Sequence, residues 1–269
     1  MKQTLNLTSS PIGKLLKQIA IPSMTGSLFQ VLFNLVDTFY AGKISHEALA
    51  ALAKSFPLYF IIVSAGIGIV AGCNSLIANS LGSNNKVAAS IYSYNALVYA
   101  FLIAIVITFV GKFFSYDVLK FMGSSHESIM LAKEYIDVIF LGTIVFLILT
   151  SFNAVLYAQG DTKTYRNVLI VGLIFNIILN PIFIFGFIFI PALGVKGIAV
   201  ATLIAQFVAF VIILTKVILN KRVKEITKEF FFIKYYYIKN IFFQSMPITI
   251  AISGYSIAAS IVFTYIGLS

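Results

Sequence analysis

The chain has 269 residues, of which 60% are hydrophobic and only 10% are charged. Soluble globular proteins carry about 25% charged residues, so this composition excludes an ordinary soluble domain and indicates a membrane protein. The net charge of +10 does not predict a nucleic-acid partner, because in a membrane chain such charge is interpreted through its distribution among the loops.

Seven long apolar runs follow one another along the chain, and about 20 apolar residues are enough to cross a bilayer. The sequence therefore predicts an all-α polytopic membrane helix bundle with seven spans, since β-barrel strands would be alternating segments of about 10 residues. We expect the mixed stretch 112–137 to be an outer loop with a short interfacial helix. The predicted helices cover approximately residues 16–42, 50–82, 88–111, 134–159, 165–187, 194–219 and 241–266.

The positive charges are distributed unequally between the two sides of the predicted bundle. With the N-terminus inside, roughly two thirds of the 19 Lys and Arg residues fall in inner segments, among them the basic segment 216–240. The positive-inside rule therefore predicts a cytoplasmic N-terminus for a multi-pass protein of the cell (plasma or inner) membrane.

The first predicted helix carries a polar stripe that includes an acid. Its members lie at helical spacing within an arc of about 80°, so they share one face that must contact protein or water. A carboxylate in the hydrocarbon costs about 2.5 to 3.5 kcal/mol, and no Lys or Arg lies at comparable depth in the predicted spans to offset that cost. A wet cavity, protonation or a bound cation would reduce it, and each is what a coupling site in a secondary transporter needs. The stripe consists of Ser23, Ser27, Gln30, Asn34 and Asp37.

Other polar groups in the predicted spans have two open interpretations. Asn176 and Asn180 lie one turn apart on the fifth helix, and Thr202 and Gln206 do so on the sixth. Interhelical hydrogen bonds explain such residues as well as a ligand-binding role does. On the second helix, Gly68 and Gly72 fit close helix packing of the small-xxx-small type.

An internal repeat relates the first predicted helix to the last one. When 21–42 is aligned with 246–267, Pro22 matches Pro247, Tyr40 matches Tyr265 and Gly42 matches Gly267. We therefore expect the chain to be a fragment of a longer protein with two parallel lobes. The expected domains are a six-helix lobe over 1–215, a basic cytoplasmic linker over 216–240, and the first helix of a second lobe over 241–269.

Several patches occur together in an order that resembles one transporter family. They are "IAIPSM" leading into "VDTFYAG", "GCNSLIANSLGSNN", "LYAQGDTKTYRN", "NIILNPIFIFG" and "GVKGIAVATLIAQ". In this order they resemble the N-terminal half of a MATE (multidrug and toxic compound extrusion) transporter, from about Pro11 to Ser269.

The resemblance implies a bundle of two six-helix lobes around a central cavity, and antiport of small, drug-like, cationic organic compounds against H⁺ or Na⁺. It implies that Asp37 couples the ion, together with Asn176, Asn180 and Thr202, and that Pro22 is a bending point. Asn180 departs from members that have a carboxylate there, which leaves open whether the ion is H⁺ or Na⁺ at Asp37. No other metal and no cofactor is expected, and the full-length protein is expected to act as a monomer. The residues assigned to the cavity lining are Gln30, Asn34, Asn153, Tyr157 and Gln206.

Three other interpretations compete with antiport. A lipid-linked oligosaccharide or precursor flippase of the same superfamily would need several Arg and Lys residues in the cavity, where helices one to six offer Asp37 and neutral amides. An intramembrane enzyme would need a second acid, a metal cluster or an activated nucleophile, and Cys73 is a single cysteine inside a predicted span. We therefore expect no enzymatic activity. The third alternative is an inactive truncated lobe.

Overall fold

The computed structural model describes residues 11–123, 125–219 and 232–266. This part of the chain contains seven helices and no β-strand, apart from an isolated bridge between Phe187 and Ile190, which confirms the all-α fold. The helices are α1 (Ile12–Ile44), α2 (His46–Gly82), α3 (Lys86–Phe121), α4 (His126–Ala158), α5 (Lys163–Phe185), α6 (Val195–Leu219) and α7 (Tyr235–Ile266).

Six helices within the described residues, α1 to α6, are long and apolar enough to cross a membrane. The protein is therefore a multi-pass membrane protein. The seventh span, which we predicted over 241–266, lies within α7, and its crossing of the membrane stays a prediction. Residues 220–231 of the basic linker 216–240 lie outside the described residues, whereas 216–219 form the end of α6 and 235–240 form the first turns of α7.

Short polar side chains fix where three of the helices begin. Ser45 accepts a hydrogen bond from the backbone N–H of Ala48 at 3.0 Å, and Asn85 accepts one from Ala88 at 2.9 Å. Ser125 does the same at the start of α4. Each side chain satisfies one of the backbone donors that a helix leaves unpaired in its first turn, so successive helices begin after turns of a few residues.

The prediction of an outer loop with a short interfacial helix over 112–137 was wrong. Helix α3 continues to Phe121 and α4 already begins at His126, with Gly123 (φ 66°) in the turn between them. The 36 residues of α3 span about 54 Å, which exceeds the hydrocarbon thickness of about 30 Å. Most polar residues of 112–137 therefore belong to the ends of α3 and α4, and Lys133 forms an i,i+4 ion pair with Asp137 within α4.

Short turns make successive helices antiparallel, so the bundle has two ends. We call the end at which α1 begins the N-terminal face; the α2–α3 and α4–α5 turns lie there as well. The opposite end, where α1 meets α2, is the far face. Helix α2 lies at the centre and packs against α1, α3, α4 and α7, while α1 also packs against α5 and α6. Apolar core clusters fill the bundle toward each end, and the polar residues of interest lie between them.

The glycines of α2 confirm the prediction of close helix packing. A Cβ added at Gly68 would lie 2.7 Å from the backbone carbonyl oxygen of Ser245, and one at Gly72 would lie 2.9 Å from the backbone nitrogen of the same residue. Only glycine allows α7 to approach α2 this closely. Pro247 lies inside α7 and Pro22 inside α1, while the match at Gly267 lies outside the described residues.

Candidate functional site

Asp37 lies inside the bundle and is surrounded by hydrogen-bond donors. Its side chain is 4% exposed. The amide nitrogens of Asn176 and Asn180 donate to Oδ1 at 2.8 Å and 2.9 Å, and the hydroxyl of Thr202 donates to Oδ2 at 3.0 Å. We call these four residues the Asp37 site.

Three helices build the Asp37 site from residues that are far apart in sequence. Asn176 and Asn180 are four residues apart on α5, so both point at the same neighbour. Helix α6 runs antiparallel to α5 beside it and brings Thr202 to the other carboxylate oxygen. All four residues that the resemblance assigned to cation binding therefore lie together, although their role in coupling stays a prediction.

Within the part of the chain that the structure describes, Asp37 forms no recorded ion pair with a basic residue. Among the described residues, the recorded ion pair is Lys133 with Asp137, which lies elsewhere. Three neutral donors stabilise the carboxylate, but neutral hydrogen bonds do not cancel its charge. The site is therefore electrostatically suited to take up a positive ion.

The oxygen atoms around Asp37 fit a small, hard cation. The side-chain oxygens of Asn176 and Asn180 are buried and have no hydrogen-bond partner within the described chain. Unpaired buried oxygens are costly, and hard cations prefer carboxylate, carbonyl and hydroxyl oxygens. The amide nitrogens face the carboxylate, so a bound Na⁺ would reach these oxygens together with the carboxylate after the amides rotate. A proton would instead make Asp37 a hydrogen-bond donor. One of the amide oxygens could accept this hydrogen bond after the asparagine side chain flips.

A cavity of about 550 Å³ opens beside Asp37 between α1, α2, α4 and α7. This volume lies in the range that suits small organic ligands. Its polar wall is Asn34, Asp37 and Thr38 of α1, and several aromatic rings form the opposite side. The aromatic residues are Phe56, Tyr59, Phe60, Tyr135 and Tyr255.

The five residues predicted to line the cavity do not lie together. Asn34 lines the large cavity with Asp37, whereas Gln30 and Gln206 line a separate cavity of about 40 Å³. Asn153 is buried, and the hydroxyl of Tyr157 lies next to its side chain. Neither residue lines either of these two cavities within the part of the chain that the structure describes.

Pro22 is buried inside α1, and the helix continues through it. A proline inside a helix removes one backbone hydrogen bond and favours a kink at that position. This placement is compatible with the predicted bending point, which stays a prediction.

Sequence reasoning missed the aromatic side of the large cavity. Tyr59 and Tyr135 are buried and line it with Asp37. Phenylalanine and tyrosine in membrane helices usually contact lipid or neighbouring helices, so composition gave no reason to select them. The available signal was the phenolic hydroxyl, because a buried tyrosine usually places this group near a polar partner or water.

A family comparison decides the identity of the fold. The MatE family model matches residues 22–182, which is more than half of the chain. The chain belongs to the MatE family. The matched residues include Asp37, Asn176 and Asn180, so the resemblance stated from the sequence patches is confirmed.

Individual MatE relatives agree with this assignment. An FAD transporter of Shewanella oneidensis is 32% identical over 78% of this chain and 46% of its own length. A probable multidrug resistance protein, YoeA, of Bacillus subtilis is 30% identical over 75% of this chain and 43% of its own length. The chain thus spans about half the length of these MatE relatives.

A solved MatE structure has the same arrangement of helices. The outward-facing conformation of a multidrug resistance MATE family transporter superposes with a TM-score of 0.85 and 27% identity. The superposition covers 96% of this chain and 57% of the solved one. The helical bundle described above is therefore a MATE-type lobe followed by one further helix.

Proposed function

We propose that this MatE protein is a secondary active transporter that exports drug-like, cationic organic compounds by antiport with H⁺ or Na⁺. The observation that carries the proposal is the Asp37 site, a buried carboxylate with neutral donors and two unpaired amide oxygens beside a ligand-sized cavity. A carboxylate in such a place is stabilised whenever a positive ion binds it.

Antiport follows because the single negative charge of Asp37 attracts both the coupling ion and a cationic substrate. The ion binds directly at Asp37, while a cationic substrate in the large cavity is attracted by the same charge. When the ion neutralises Asp37, the affinity for the substrate falls. By thermodynamic reciprocity, a bound substrate lowers the affinity for the ion by the same factor. Each monovalent cation that moves inward across the membrane supplies about 2.3 kcal/mol per 100 mV.

The aromatic side of the large cavity supports substrates with flat rings. Phe56, Tyr59 and Tyr135 offer ring faces, which attract organic cations through their negative π-surface. No Lys or Arg is among the described residues that line this cavity. Its chemistry therefore favours cationic over anionic substrates, and it does not favour the phosphate-bearing cargo of the flippase alternative.

A second candidate substrate class comes from the FAD transporter of Shewanella oneidensis. The flat ring of a flavin would fit the same aromatic wall, so flavin nucleotides are the second class that we consider. Their diphosphate would require positive groups, which the described lining of the cavity lacks. Cationic compounds therefore remain the first choice.

The proposed orientation places the N-terminal face in the cytoplasm of the cell that exports the compound. The protein would lie in the plasma or inner membrane as a monomer, with its lipid-facing surface formed by exposed apolar side chains such as Leu28, Val31 and Phe109. The ion would enter from the far face when the cavity opens outward, and it would leave toward the N-terminal face.

Efflux from cells tests the proposed function. Cells that lack their own efflux pumps would express the protein from its complete gene and be loaded with ethidium, a fluoroquinolone or FAD. We expect export of ethidium, and we expect Asp37→Asn to abolish it while Asp117→Asn, an exposed acid on α3, leaves it intact. Export by Asp37→Asn at the wild-type rate would reject the coupling role, and export of FAD alone would reject cationic substrates.

A further inference from the structure

The smaller cavity holds polar groups that the proposed transport cycle has not yet used. It measures about 40 Å³ and lies between α1, α4, α5 and α6, and we call it the inner chamber. Its polar walls are Gln30 of α1, Tyr165 of α5 and Gln206 of α6, and Phe33, Phe146 and Gly172 are among its apolar walls.

The inner chamber lies directly beyond the Asp37 site on the side of the N-terminal face. On α1, Gln30 precedes Asp37 by two turns, and on α5, Gly172 precedes Asn176 by one. On the antiparallel α6, Gln206 follows Thr202 by one turn. The same three helices therefore lead from the carboxylate to the chamber, over about 6 to 11 Å at 1.5 Å per residue.

An apolar layer separates the two compartments. Phe33, Leu173 and Ala205 form a small core cluster of their own, each about one turn from a member of the Asp37 site. Phe33 and Ala205 also line the inner chamber, so this layer is its wall toward Asp37. We call these three residues the Phe33 layer.

The contents of the inner chamber are restricted by its size and its polar groups. A water molecule needs at least about 10 to 15 Å³, whereas pockets for organic ligands measure about 300 to 1,000 Å³. The amides of Gln30 and Gln206 and the hydroxyl of Tyr165 have no recorded hydrogen bond to another described residue. The inner chamber therefore has room for one or two waters, or for one small cation, that these polar groups can bind. It has no room for a transported compound.

We propose that the inner chamber is a transit site through which the coupling cation leaves Asp37 toward the N-terminal face, with the Phe33 layer as its gate. The two amide oxygens and the tyrosine hydroxyl replace part of the hydration of a small cation after it has left the carboxylate. The ion thereby avoids the large cavity, where the substrate binds. This inference rests on the proposed antiport, because a cation must first load Asp37.

Cysteine labelling tests whether the inner chamber is wet and open to the N-terminal face. The protein, expressed from its complete gene in a Cys73→Ser background, would carry Gln206→Cys or the matched control Phe207→Cys in oriented membrane vesicles. Phe207 is the next residue of α6, is 54% exposed and lines neither cavity. Ag⁺ binds thiolates, which form in water, and it is small enough to enter the inner chamber, so we expect Gln206→Cys to react about tenfold faster than Phe207→Cys with Ag⁺ applied at the N-terminal face.

The labelling result is decisive in both directions. If the thiol at position 206 reacts no faster than the one at 207, the chamber is a closed packing void and the transit proposal is wrong. Faster reaction only from the far face would also overturn it, because the chamber would then belong to the large cavity. Neither result would bear on the proposed antiport, which is tested separately by the transport activity of Asp37→Asn.

Opening the Phe33 layer gives an independent measurement. Phe33→Ala removes the largest side chain of the layer, and we expect cation flux into proteoliposomes without substrate to rise several-fold. Val31→Ala, a truncation on the exposed side of α1, is the matched control and should not leak. Phe33→Ala that transports substrate at the wild-type rate and leaks no cation would contradict the gate. If Phe33→Ala loses all activity, the outcome depends on Phe33→Leu, which keeps the layer filled. An equally inactive Phe33→Leu would contradict the gate, whereas an active Phe33→Leu would support it.

Discussion

The side-chain amide of Asn176 donates a hydrogen bond to Asp37 across the α1–α5 contact, and its own oxygen is buried without a partner in the described structure. Asn180 repeats this arrangement one turn along α5. The carboxylate is thus held in place while the oxygens beside it remain available. This combination differs from a hydrogen-bond network built only for stability, in which buried oxygens are normally paired.

A second carboxylate at position 180 should strengthen cation binding. Asn180→Asp places two acids around one site, and the increased negative field favours any bound cation. We expect the half-saturating concentration of the coupling ion to fall about tenfold, which corresponds to about 1.4 kcal/mol. Transport rates in proteoliposomes measured against Na⁺ and H⁺ concentration would show it.

Asn180→Leu is the matched variant for this prediction, because it removes the amide without adding charge. It should raise the half-saturating concentration of Na⁺, because the cation loses an amide oxygen even though the carboxylate also loses a donor. A change of the Na⁺ value in the same direction for both substitutions would mean that position 180 affects packing and not the cation.

The hydroxyl of Thr202 should contribute through its hydrogen bond to Oδ2 of Asp37. A hydrogen bond to a charged group contributes about 1.5 to 3 kcal/mol, so Thr202→Val destabilises the empty carboxylate and slows release of a proton or cation. We expect turnover to fall about tenfold or more. Thr202→Ser keeps the hydroxyl and should retain most of the activity, and equal turnover of the two variants would contradict this role.

The contact between α2 and α7 should be sensitive to a single methyl group. Gly72→Ala places a Cβ 2.9 Å from the backbone nitrogen of Ser245, so one helix must move. We expect thermal unfolding in detergent to occur several degrees lower than for the wild type. Gly82→Ala, near the end of the same helix, meets no atom within 4 Å and should be neutral or stabilising by up to about 1 kcal/mol.

Asn95 should hold the beginning of the α7 segment against α3. Its amide donates to the carbonyl oxygen of Phe232 at 3.0 Å, and its side-chain oxygen accepts from the backbone N–H of Lys234 at 3.1 Å. Asn95→Leu removes both bonds and with them the acceptor of the Lys234 backbone N–H, at a cost of about 1 to 3 kcal/mol. Faster tryptic cleavage after Lys234 would reveal the release, whereas Asn79→Leu, at an exposed position of α2, should leave cleavage unchanged.

The sequence predicted the helices well and some of their ends poorly. Apolar runs revealed every helix of the described structure, because hydrocarbon solvent requires helices with about 20 apolar residues. The limits of α3 and α4 were missed because charged residues were taken as the end of a helix. Charge ends a membrane span, but the helix itself continues through Lys133 and Asp137.

The residues of the site were predictable only in part. The polar stripe on α1 includes the buried Asp37, but Ser27 of the same stripe is exposed, because the pattern contains no information on depth or on neighbouring helices. Gln30 and Asn34 were therefore predicted to line the same cavity, but they line two cavities on either side of Phe33. The position of Asn176 and Thr202 beside Asp37 followed from the resemblance, since no local pattern connects three distant helices.

Transport driven by an imposed ion gradient tests the central claim most directly. Protein expressed from its complete gene would be reconstituted into liposomes, and ethidium movement would be followed after an H⁺ or a Na⁺ gradient is applied separately. The account predicts that one of the gradients drives ethidium against its own gradient, and that Asp37→Asn abolishes this coupling while Asp117→Asn keeps it. Gradient-driven transport by Asp37→Asn at the wild-type rate would contradict the account.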